Sequence, residues 1–350
     1  MVEGNGPRIA VILFNLGGPD RPDAVRPFLV NLFSDPAILR VPGPFRWILA
    51  RLIAGRRAGI AKGIYEQLGG GSPLLPNTEA QARALEAHFE HGQVRAFVCM
   101  RYWHPMADEV AGAVRDWRPD RILLLPLYPQ FSTTTTASSL KDWDRATRQA
   151  GLSADTVAYC CYPTLPGFVA AIADLIRPAL AAARTDGPVR VLFSAHGLPK
   201  RVVEGGDPYQ WQVEQTAAAV IRALDEPGLD HAVCYQSRVG PLEWIGPSTD
   251  SEIERAGRER RSVVLVPVAF VSEHYETLVE LDVEYRHLAE RSGVPGYRRV
   301  ATVGTHPLFI EGLAGIVRAA DCACIGIYCA EGGRLCPAAW AGCGLQQEGR

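Results

Sequence analysis

Short apolar segments alternate with longer amphipathic segments along most of this chain, and the alternation limits the folds it can adopt. The apolar segments have the length of strands buried on both faces, and the intervening segments have helical periodicity. This alternation predicts an α/β protein with parallel sheets covered by helices on both faces. The predicted strands lie near residues 8–14, 93–100, 120–127 and 156–160, and near 188–194, 229–235, 262–268 and 298–303.

Two sets of four strands predict two similar lobes with a cleft between them. The first lobe is expected to span residues 1–160 and the second 161–304. A helix near 307–319 begins the last segment, 305–350, which is expected to pack back on the first lobe. At 350 residues, 47% of them apolar, the chain is long enough to bury the cores of both lobes.

Composition and charge exclude some classes of function. The net charge of −2 predicts no general affinity for nucleic acid. No secretory signal is visible, and no segment reaches the ~18 apolar residues that a membrane-spanning helix needs. We therefore expect a cytoplasmic protein, which can still lie on a membrane surface.

Residues 36–62 interrupt the alternation with a basic, apolar segment. Phe45, Ile48, Leu49, Leu52 and Ile53 fall on one helical face. The segment also carries six positive charges and no acidic residue. An ordinary surface helix has this pattern, and so has a lip that dips into an anionic bilayer or covers a large apolar ligand.

An acidic segment follows the predicted strand near 262–268. Glu273, Glu276 and Glu280 recur at helical spacing beside His274, and the segment begins where open α/β sheets bind ligands. Glu284 extends the same spacing. A solvated acidic helix face is the alternative to a functional site.

A histidine follows another predicted strand. His196 ends the segment Val191–Ala195 and precedes Gly197-Leu-Pro199, so the turn would hold it open to the cleft. A neutral imidazole can bind a metal or accept a proton near neutral pH. A histidine that only caps the next element is the alternative.

Three further segments have unusual composition. The glycine turn 15–19 lacks the spacing of a nucleotide-binding loop, and the hydroxyl-rich run 128–136 is consistent with a helix N-cap or an anion site. The segment 235–250 combines aromatic residues, an arginine and Gly-Pro turns. We expect this stiff, aromatic segment to line a flat apolar ligand.

The nine cysteines are unevenly distributed. Cys99 and Cys234 lie in apolar strands and are expected to be core residues. An odd count in a chain without a secretory signal argues against a disulfide framework. The remaining cysteines are the pair Cys160 and Cys161 and the terminal group Cys322, Cys324, Cys329, Cys336 and Cys343.

Taken together, these segments resemble the ferrochelatase family, bacterial type with a cysteine-rich C-terminus. Their order is similar from about residue 8 to 318. The matching segments are Asn15-Leu-Gly-Gly-Pro19, Gly69-Gly-Gly-Ser-Pro73, Met100-Arg-Tyr102, His104-Pro105, Tyr128-Pro-Gln130, Ser194-Ala-His196, 237–250 and 270–282. The resemblance implies two Rossmann-like lobes, each a four-stranded parallel sheet flanked by helices.

The resemblance also implies roles for individual residues. His196 and Glu276 would be the catalytic pair and the ligands of the substrate iron. A path for protons or metal would include Glu273, His274 and Glu280. The porphyrin would contact a further set: Leu16, Arg101, Tyr102, Tyr235, Trp244 and Phe270.

Some bacterial members bind a 2Fe–2S cluster, and the resemblance extends this expectation to the present chain. Cys322, Cys324 and Cys329 have compact spacing, and Cys160 or Cys161, with Cys161 preferred, would supply the fourth thiolate. An alternative set uses Cys336 and Cys343. A frayed tail or an adventitious zinc site would also account for the cysteines.

The function implied is insertion of Fe²⁺ into protoporphyrin IX with release of two protons, the terminal step of haem biosynthesis. A chelatase for coproporphyrin or cobalt, or a non-catalytic tetrapyrrole carrier, is the alternative. The expected partners are protoporphyrin IX, ferrous iron and the inner face of the cytoplasmic membrane, to which residues 36–62 would bind peripherally. The sequence leaves open whether the chain forms a homodimer.

Overall fold

The computed structural model describes residues 6–237, 242–330 and 332–345. Within these residues the chain divides into two compact units. The first unit comprises Met1–Tyr128, Ser132–Cys160 and Leu313–Cys329, and the second comprises Pro129–Phe131, Cys161–Gly312 and Ala330–Arg350. The terminal segment is thus divided between the units at Cys329.

The described residues form strands β1 (Ile9–Asn15), β2 (Val94–Met100), β3 (Arg121–Pro126), β4 (Asp155–Cys161), β5 (Val189–His196), β6 (His231–Gln236), β7 (Ser262–Pro267), β8 (Tyr297–Arg299) and β9 (Gly326–Cys329). The helices are α1 (Val25–Ser34), α2 (Gly43–Gln67), α3 (Leu74–Glu86), α4 (Ala107–Trp117), α5 (Thr136–Ala150), α6 (Pro166–Ala183), α7 (Lys200–Glu204), α8 (Tyr209–Leu224), α9 (Thr249–Arg258), α10 (Tyr285–Arg291) and α11 (Pro307–Asp321). Short 3₁₀ turns cover Pro22–Ala24 and Arg184–Asp186, and a π-helical segment covers Glu276–Glu284.

The first sheet has the strand order β2-β1-β3-β4-β9. Its central strand β1 is buried along its whole length and pairs in parallel with both β2 and β3, because both of its faces are apolar. The sequence predicts four strands, and the fifth is β9. That prediction is wrong because Gly326-Ile-Tyr-Cys329 is short and lacks an apolar run.

The second sheet has the order β6-β5-β7-β8, and its strands pair in parallel as predicted. Because parallel strands end at the same edge, the residues that follow β5, β6 and β7 come together there. The register pairs His196 with Gln236 across β5 and β6. The candidate functional side chains lie at this edge of the sheet.

One helical stretch, Pro166–Asp186, is long and apolar enough to meet a composition test for a membrane span. The sequence prediction concerned a run of about 18 apolar residues, and Asp174 and Arg177 interrupt this stretch. Phe168, Ile172, Ile176 and Leu180 of this stretch are nevertheless buried within the protein. A core helix of a globular unit has the same composition, and the buried side chains of α6 are those of such a helix.

The acidic segment after β7 differs from the regular α-helix that its glutamate spacing predicts. Glu276–Glu284 is π-helical, and a regular α-helix begins only at Tyr285. Spacings of three and four residues do not distinguish the two forms, and π-turns inside helices are frequent at functional sites. Glu276 is buried, whereas Glu284 is exposed.

Candidate active site

Two side chains at the C-terminal edge of the second sheet form an ion pair. His196 ends β5, and Glu276 begins the π-helical segment. The distance from His196 Nδ1 to Glu276 Oε2 is 2.9 Å. The Glu276 side chain is 6% exposed and that of His196 is 40% exposed. Solvent therefore reaches the imidazole of the pair far more than the carboxylate.

Burial and charge act in opposite directions on the pKa of each member. Burial lowers the pKa of His196, but the Glu276 carboxylate, with a smaller effect from Glu280, raises it above its ordinary value. Burial raises the pKa of Glu276, but the charge and hydrogen bond of His196 lower it to about 2. Each group thus stabilises the charged form of the other.

A second carboxylate, Glu280, is linked to this pair through Ser237. Ser237 Oγ donates to Glu280 Oε2 at 2.5 Å and lies 3.5 Å from Glu276 Oε2, while the Ser237 amide donates to Glu280 Oε1. Ser237 adopts φ = +60°, an uncommon conformation for a residue other than glycine. This backbone conformation aims both its amide and its hydroxyl at the carboxylates.

The chain of polar groups continues from Glu280 to the surface. Tyr285 OH lies 3.1 Å from Glu280 Oε1 and 3.5 Å from Asp250 Oδ2. Asp250 is exposed, whereas Tyr285 is buried. Glu276, Ser237, Glu280, Tyr285 and Asp250 therefore form a continuous series from a buried carboxylate to solvent.

The environment of Glu280 makes it a weaker acid than Glu276. Burial, together with the charge of Glu276, raises the pKa of Glu280 to about 6, although the hydrogen bonds from Ser237 oppose the shift. A carboxyl group with this pKa can take up and release a proton near neutral pH. The two carboxyl groups therefore ionise over different pH ranges, because the pKa of Glu276 is about 2 and that of Glu280 is about 6.

Glu280→Gln is expected to make the protein more stable at alkaline pH relative to the wild type. The folded-state pKa lies above the ordinary 4.5, so the wild type loses stability as pH rises through about 6. Between about pH 4 and pH 8, the unfolding free energy of the variant should rise by about 2 kcal/mol relative to that of the wild type. Urea unfolding at a series of pH values measures it.

The matched control for this experiment is Glu290→Gln, because Glu290 is exposed on α10. Its difference from the wild type should stay flat with pH. A difference for Glu280→Gln that is equally flat would show that the carboxyl group has no raised pKa.

Two other acidic-segment residues have different surroundings. Glu273 is held by Arg299, at 2.7 Å between Oε1 and Nη1, and by the amide of Thr302. Although burial raises its pKa, these contacts bring the net pKa of Glu273 below its ordinary value. His274 is buried with its ring centroid 4.6 Å from that of Phe270, and burial lowers its pKa.

Three residues predicted to contact a flat ligand lie together in the first unit. Leu16 follows β1, and Arg101 and Tyr102 follow β2; the Tyr102 amide donates to Leu16 O. Arg101 Nη2 and Tyr102 OH both bind Asp35 Oδ2, each at 2.8 Å. The buried Asp35 carboxylate therefore orients both side chains, although Arg101 keeps 18% exposure.

The other three predicted contact residues belong to the second unit. Tyr235 is buried in β6, and Trp244 and Phe270 are partly exposed. Trp244 forms an antiparallel bridge with Pro199, close in sequence to His196. Part of the predicted binding segment 235–250, namely residues 238–241, lies outside the described residues.

The cysteines separate into exposed and buried groups. Cys322 and Cys324 are exposed, and Cys160, Cys161, Cys329, Cys336 and Cys343 are buried. Within residues 6–237, 242–330 and 332–345, no group of three or more His, Cys, Asp or Glu side chains is placed to hold a metal ion. Two thiols nevertheless share one neighbour: Gln212 Nε2 is 3.4 Å from Cys161 Sγ and 3.1 Å from Cys336 Sγ.

Sequence reasoning missed five residues that connect the predicted ones: Asp35, Gln212, Ser237, Asp250 and Tyr285. A signal existed for Ser237, which directly follows Gln236, the β6 residue that pairs with His196. The others reach their partners through tertiary contacts, for which the sequence has no local pattern.

Comparison with known proteins identifies the relatives of this chain. The family model described as Ferrochelatase matches residues 8–321. A curated ferrochelatase of Caulobacter vibrioides is 54% identical over 340 residues, covering 96% of this chain and 97% of the relative. One of Hyphomonas neptunium is 51% identical over 344 residues, covering 97% and 95%.

A solved structure shows the same fold at much lower sequence identity. SirB from Bacillus subtilis with Fe³⁺ matches with a TM-score of 0.52 and 12% identity, covering 90% of this chain and 96% of SirB. This likeness concerns the fold alone.

Proposed function

The chain belongs to the ferrochelatase family, and we propose that His196 and Glu276 carry out its reaction. It is a metal chelatase, a protohaem ferro-lyase of haem biosynthesis whose substrate iron is Fe²⁺. Protoporphyrin IX is its tetrapyrrole substrate by family inference. The observation that supports the residue assignment is the 2.9 Å contact between His196 Nδ1 and Glu276 Oε2 at the strand edge.

Insertion of Fe²⁺ replaces two pyrrole N–H protons, so the site must accept protons. With Glu276 accepting from Nδ1–H, the neutral His196 tautomer has its lone pair on Nε2. Nε2 would take a pyrrole proton, and the adjacent carboxylate would stabilise the imidazolium that forms. The raised pKa of His196 strengthens it as a base for this step.

The protons would leave through the polar series that ends at Asp250. Ser237 can relay a proton between the Glu276 and Glu280 carboxylates, and the pKa of Glu280, about 6, suits transient protonation. His274 and Glu273 remain proposed members of a proton or metal path. The contacts of Glu273 with Arg299 and Thr302 favour a positioning role for it.

The porphyrin contacts are proposed on the family resemblance. Leu16, Arg101 and Tyr102 would contact the macrocycle or its propionates, and the guanidinium of Arg101 is suited to a carboxylate. The apolar wall of the porphyrin pocket would be formed by Tyr235, Trp244 and Phe270. The orientation of Arg101 by Asp35 supports its part in this assignment.

Formation of zinc protoporphyrin tests the proposal, because Zn²⁺ can stand in for Fe²⁺ and the product is fluorescent. The wild type should produce metalloporphyrin from protoporphyrin IX, and parallel assays with coproporphyrin and with Co²⁺ address the alternative substrates. Porphyrin binding without metal insertion would instead support a non-catalytic carrier.

We also propose a 2Fe–2S cluster, and the buried cysteines favour the second of the two ligand sets considered. Cys161 and Cys336 have thiols within reach of one amide, and Cys343 is buried in the same unit. Arg334 donates to the carbonyls of Cys336, Pro337 and Trp340, which orders the cysteine-bearing loop.

Cys161 is tied to the terminal segment through the backbone of Ala330, which belongs to the same unit. The Ala330 amide donates to Cys161 O. Four thiolates are the usual ligands of a 2Fe–2S cluster. The exposed Cys322 and Cys324 fit this role less well, because thiolate ligands of a stable cluster are usually shielded from solvent.

Anaerobically purified protein should be reddish and contain about two irons per chain. Cys336→Ser should lose the colour and the iron, whereas Cys322→Ser should keep both. The reverse pattern would favour the set with Cys322 and Cys324. Colourless, iron-free wild type with full activity would contradict a cluster.

Peripheral membrane binding is proposed for α2. Five of its large apolar side chains are more than half exposed: Phe45, Trp47, Ile48, Leu52 and Ile60. The guanidinium of Arg51 lies 3.8 Å from the Trp47 ring centroid, so a cation and an aromatic ring share the surface. Exposed apolar side chains among positive charges fit the surface of an anionic bilayer.

Binding to vesicles with anionic lipid should exceed binding to neutral vesicles and weaken with salt. Replacing Trp47 and Ile48 together by serine should lower the vesicle affinity at least about tenfold, since each apolar side chain contributes about 1.5–3 kcal/mol when fully buried. Ile325→Ser, at an exposed apolar residue of the C-terminal segment, is the control. Unchanged binding of the α2 variant would exclude this surface.

The proposed location is the cytoplasm, on the inner face of the cytoplasmic membrane. A homodimer is proposed as the oligomeric state. Light scattering during size-exclusion chromatography determines the molar mass and distinguishes the dimer from the monomer.

A further inference from the structure

Arg299, the last residue of β8, binds two acidic residues that flank the carboxylates of the candidate site. Its Nη1 atom lies 2.7 Å from Glu273 Oε1, and its Nη2 atom lies 2.7 Å from Asp282 Oδ2. Glu273 comes three residues before Glu276, and Asp282 comes two residues after Glu280. One guanidinium group therefore holds the acidic segment on both sides of these carboxylates.

The second sheet fixes the position of this guanidinium. Arg299 pairs with Leu265 of β7, and the amide of Val300 donates to Leu265 O at 2.8 Å. The side chain of Arg299 is only 10% exposed, so salt and water screen its ion pairs less than those of a surface arginine. The arginine is thus a fixed point on the sheet to which the acidic segment is bound.

Glu273 carries this constraint to the residue beside Glu276. The Glu273 carboxylate accepts from the hydroxyl of Thr277, which directly follows Glu276 in the chain. Thr277 is fully buried and also accepts from the amide of His274 at 3.0 Å. The contacts from Arg299 through Glu273 to Thr277 therefore restrict where the backbone of Glu276 can lie.

Strand β8 also stabilises the π-helical form of the segment. In an α-helix the amide of Tyr285 would donate to Leu281 O, whereas here it donates to Glu280 O. The hydroxyl of Tyr297, the first residue of β8, donates to Leu281 O at 2.6 Å. Because π-helical turns are rare, such contacts from a neighbouring strand are needed to favour this form over a regular α-helix.

We propose that Arg299 is a positioning residue for metal insertion, which holds Glu276 against His196 by binding Glu273 and Asp282 at the same time. The inference rests on the function proposed for His196 and Glu276. Arg299 acts on the reaction through the backbone of the acidic segment, and its two ion pairs must form together to do so.

Arg299→Lys tests this role, because it keeps the positive charge and removes the fork. A single ammonium nitrogen cannot replace two Nη atoms that each bind a different carboxylate. The kcat for zinc insertion should fall about tenfold, since small displacements of a reacting group are costly. The KM for protoporphyrin should stay at the wild-type value, because the residues proposed to contact the porphyrin are unchanged.

Arg298→Lys is the matched control. Arg298 is the neighbouring arginine of β8, and its Nη2 atom binds Asp186 Oδ2 at 2.8 Å instead of the acidic segment. This variant should keep the kcat and the KM of the wild type. An equal loss in both variants would contradict a specific role for Arg299.

Combining Arg299→Lys with Glu276→Gln distinguishes positioning from a general effect on the fold. If Arg299 acts by holding Glu276, the double variant should have the same kcat as Glu276→Gln alone, because the group that the arginine positions is already inactive. A further tenfold loss in the double variant would overturn the inference, since the arginine would then act on folding or on another group.

Asp282→Asn replaces Arg299→Lys if the lysine variant does not fold. It removes one of the two ion pairs, and its side chain is 28% exposed, so the fold should tolerate it. A loss of kcat is again expected, together with no further loss in the Glu276→Gln background. Wild-type kcat in Asp282→Asn would contradict the need for both ion pairs.

The outcomes separate this inference from the proposed function. Full activity in Glu276→Gln overturns both. A slow Glu276→Gln variant with unchanged kcat in Arg299→Lys overturns the role of Arg299 alone. A lower kcat in Arg299→Lys, absent from the Arg298 control and from the Glu276→Gln background, supports it.

Discussion

His196→Ala is expected to lower the rate of zinc insertion into protoporphyrin by about 10²–10⁴-fold, the usual contribution of a positioned general base. The alanine variant has no group at this strand end that can take the pyrrole proton. Glu276 cannot replace it as a base, because its carboxylate lies on the closed side of the pair and is 6% exposed. Steady-state kinetics with a fluorescent product measure the loss.

The variant should remain folded. The His196 side chain is 40% exposed, so truncation leaves no closed cavity, although Glu276 loses the partner that holds its pKa low. Circular dichroism and porphyrin binding should match the wild type. His231→Ala is the control, because His231 is exposed at the other end of the same sheet and should keep full activity. Activity near wild type in His196→Ala would remove this residue from the mechanism.

Glu276→Gln is expected to have the second-largest effect, with insertion slower by about 10²-fold or more. The substitution keeps the size of the side chain but removes the charge that raises the pKa of His196. The pKa of His196 should therefore fall, and the limb of the rate profile that reports it should move to lower pH. A weaker base in the same position explains the slower reaction.

The stability of the Glu276 variant should also respond differently to acid. In the wild type the folded pKa, about 2, lies below the ordinary 4.5, so the ion pair stabilises the protein above 4.5 and the contribution disappears as pH falls toward 2. The glutamine variant should lack this dependence.

Glu284→Gln is the matched control, since Glu284 is exposed in the same π-helical segment. It should keep the activity, the pH profile and the acid sensitivity of the wild type. An unchanged pH profile in Glu276→Gln would show that the carboxylate does not control the basicity of His196.

The strand and helix alternation allowed most of the fold to be predicted. Buried parallel strands have continuous apolar runs, and such runs identified β1, β5 and β7 from the sequence alone. The same rule brings strand exits to one edge, where His196 and Glu276 meet although 80 residues separate them.

The remaining features depend on tertiary contacts. Ser237 reaches two carboxylates only because its backbone adopts a left-handed conformation, and Gln212 meets two cysteines only because Phe131 orients its amide. The compact spacing of Cys322 and Cys324 suggested ligands, yet both side chains are exposed. Sequence spacing reports how close cysteines lie along the chain and does not report shielding from solvent.

The division of the chain between the units has a consequence for biosynthesis. The first unit takes strand β9 and most of α11 from Leu313–Cys329, near the end of the chain. During translation this unit therefore cannot be completed until Cys329 has left the ribosome, whereas domains made of one continuous segment can fold as soon as that segment has emerged. Expression of residues 1–160 alone should accordingly give an incomplete sheet with an unprotected β4 edge, prone to aggregation.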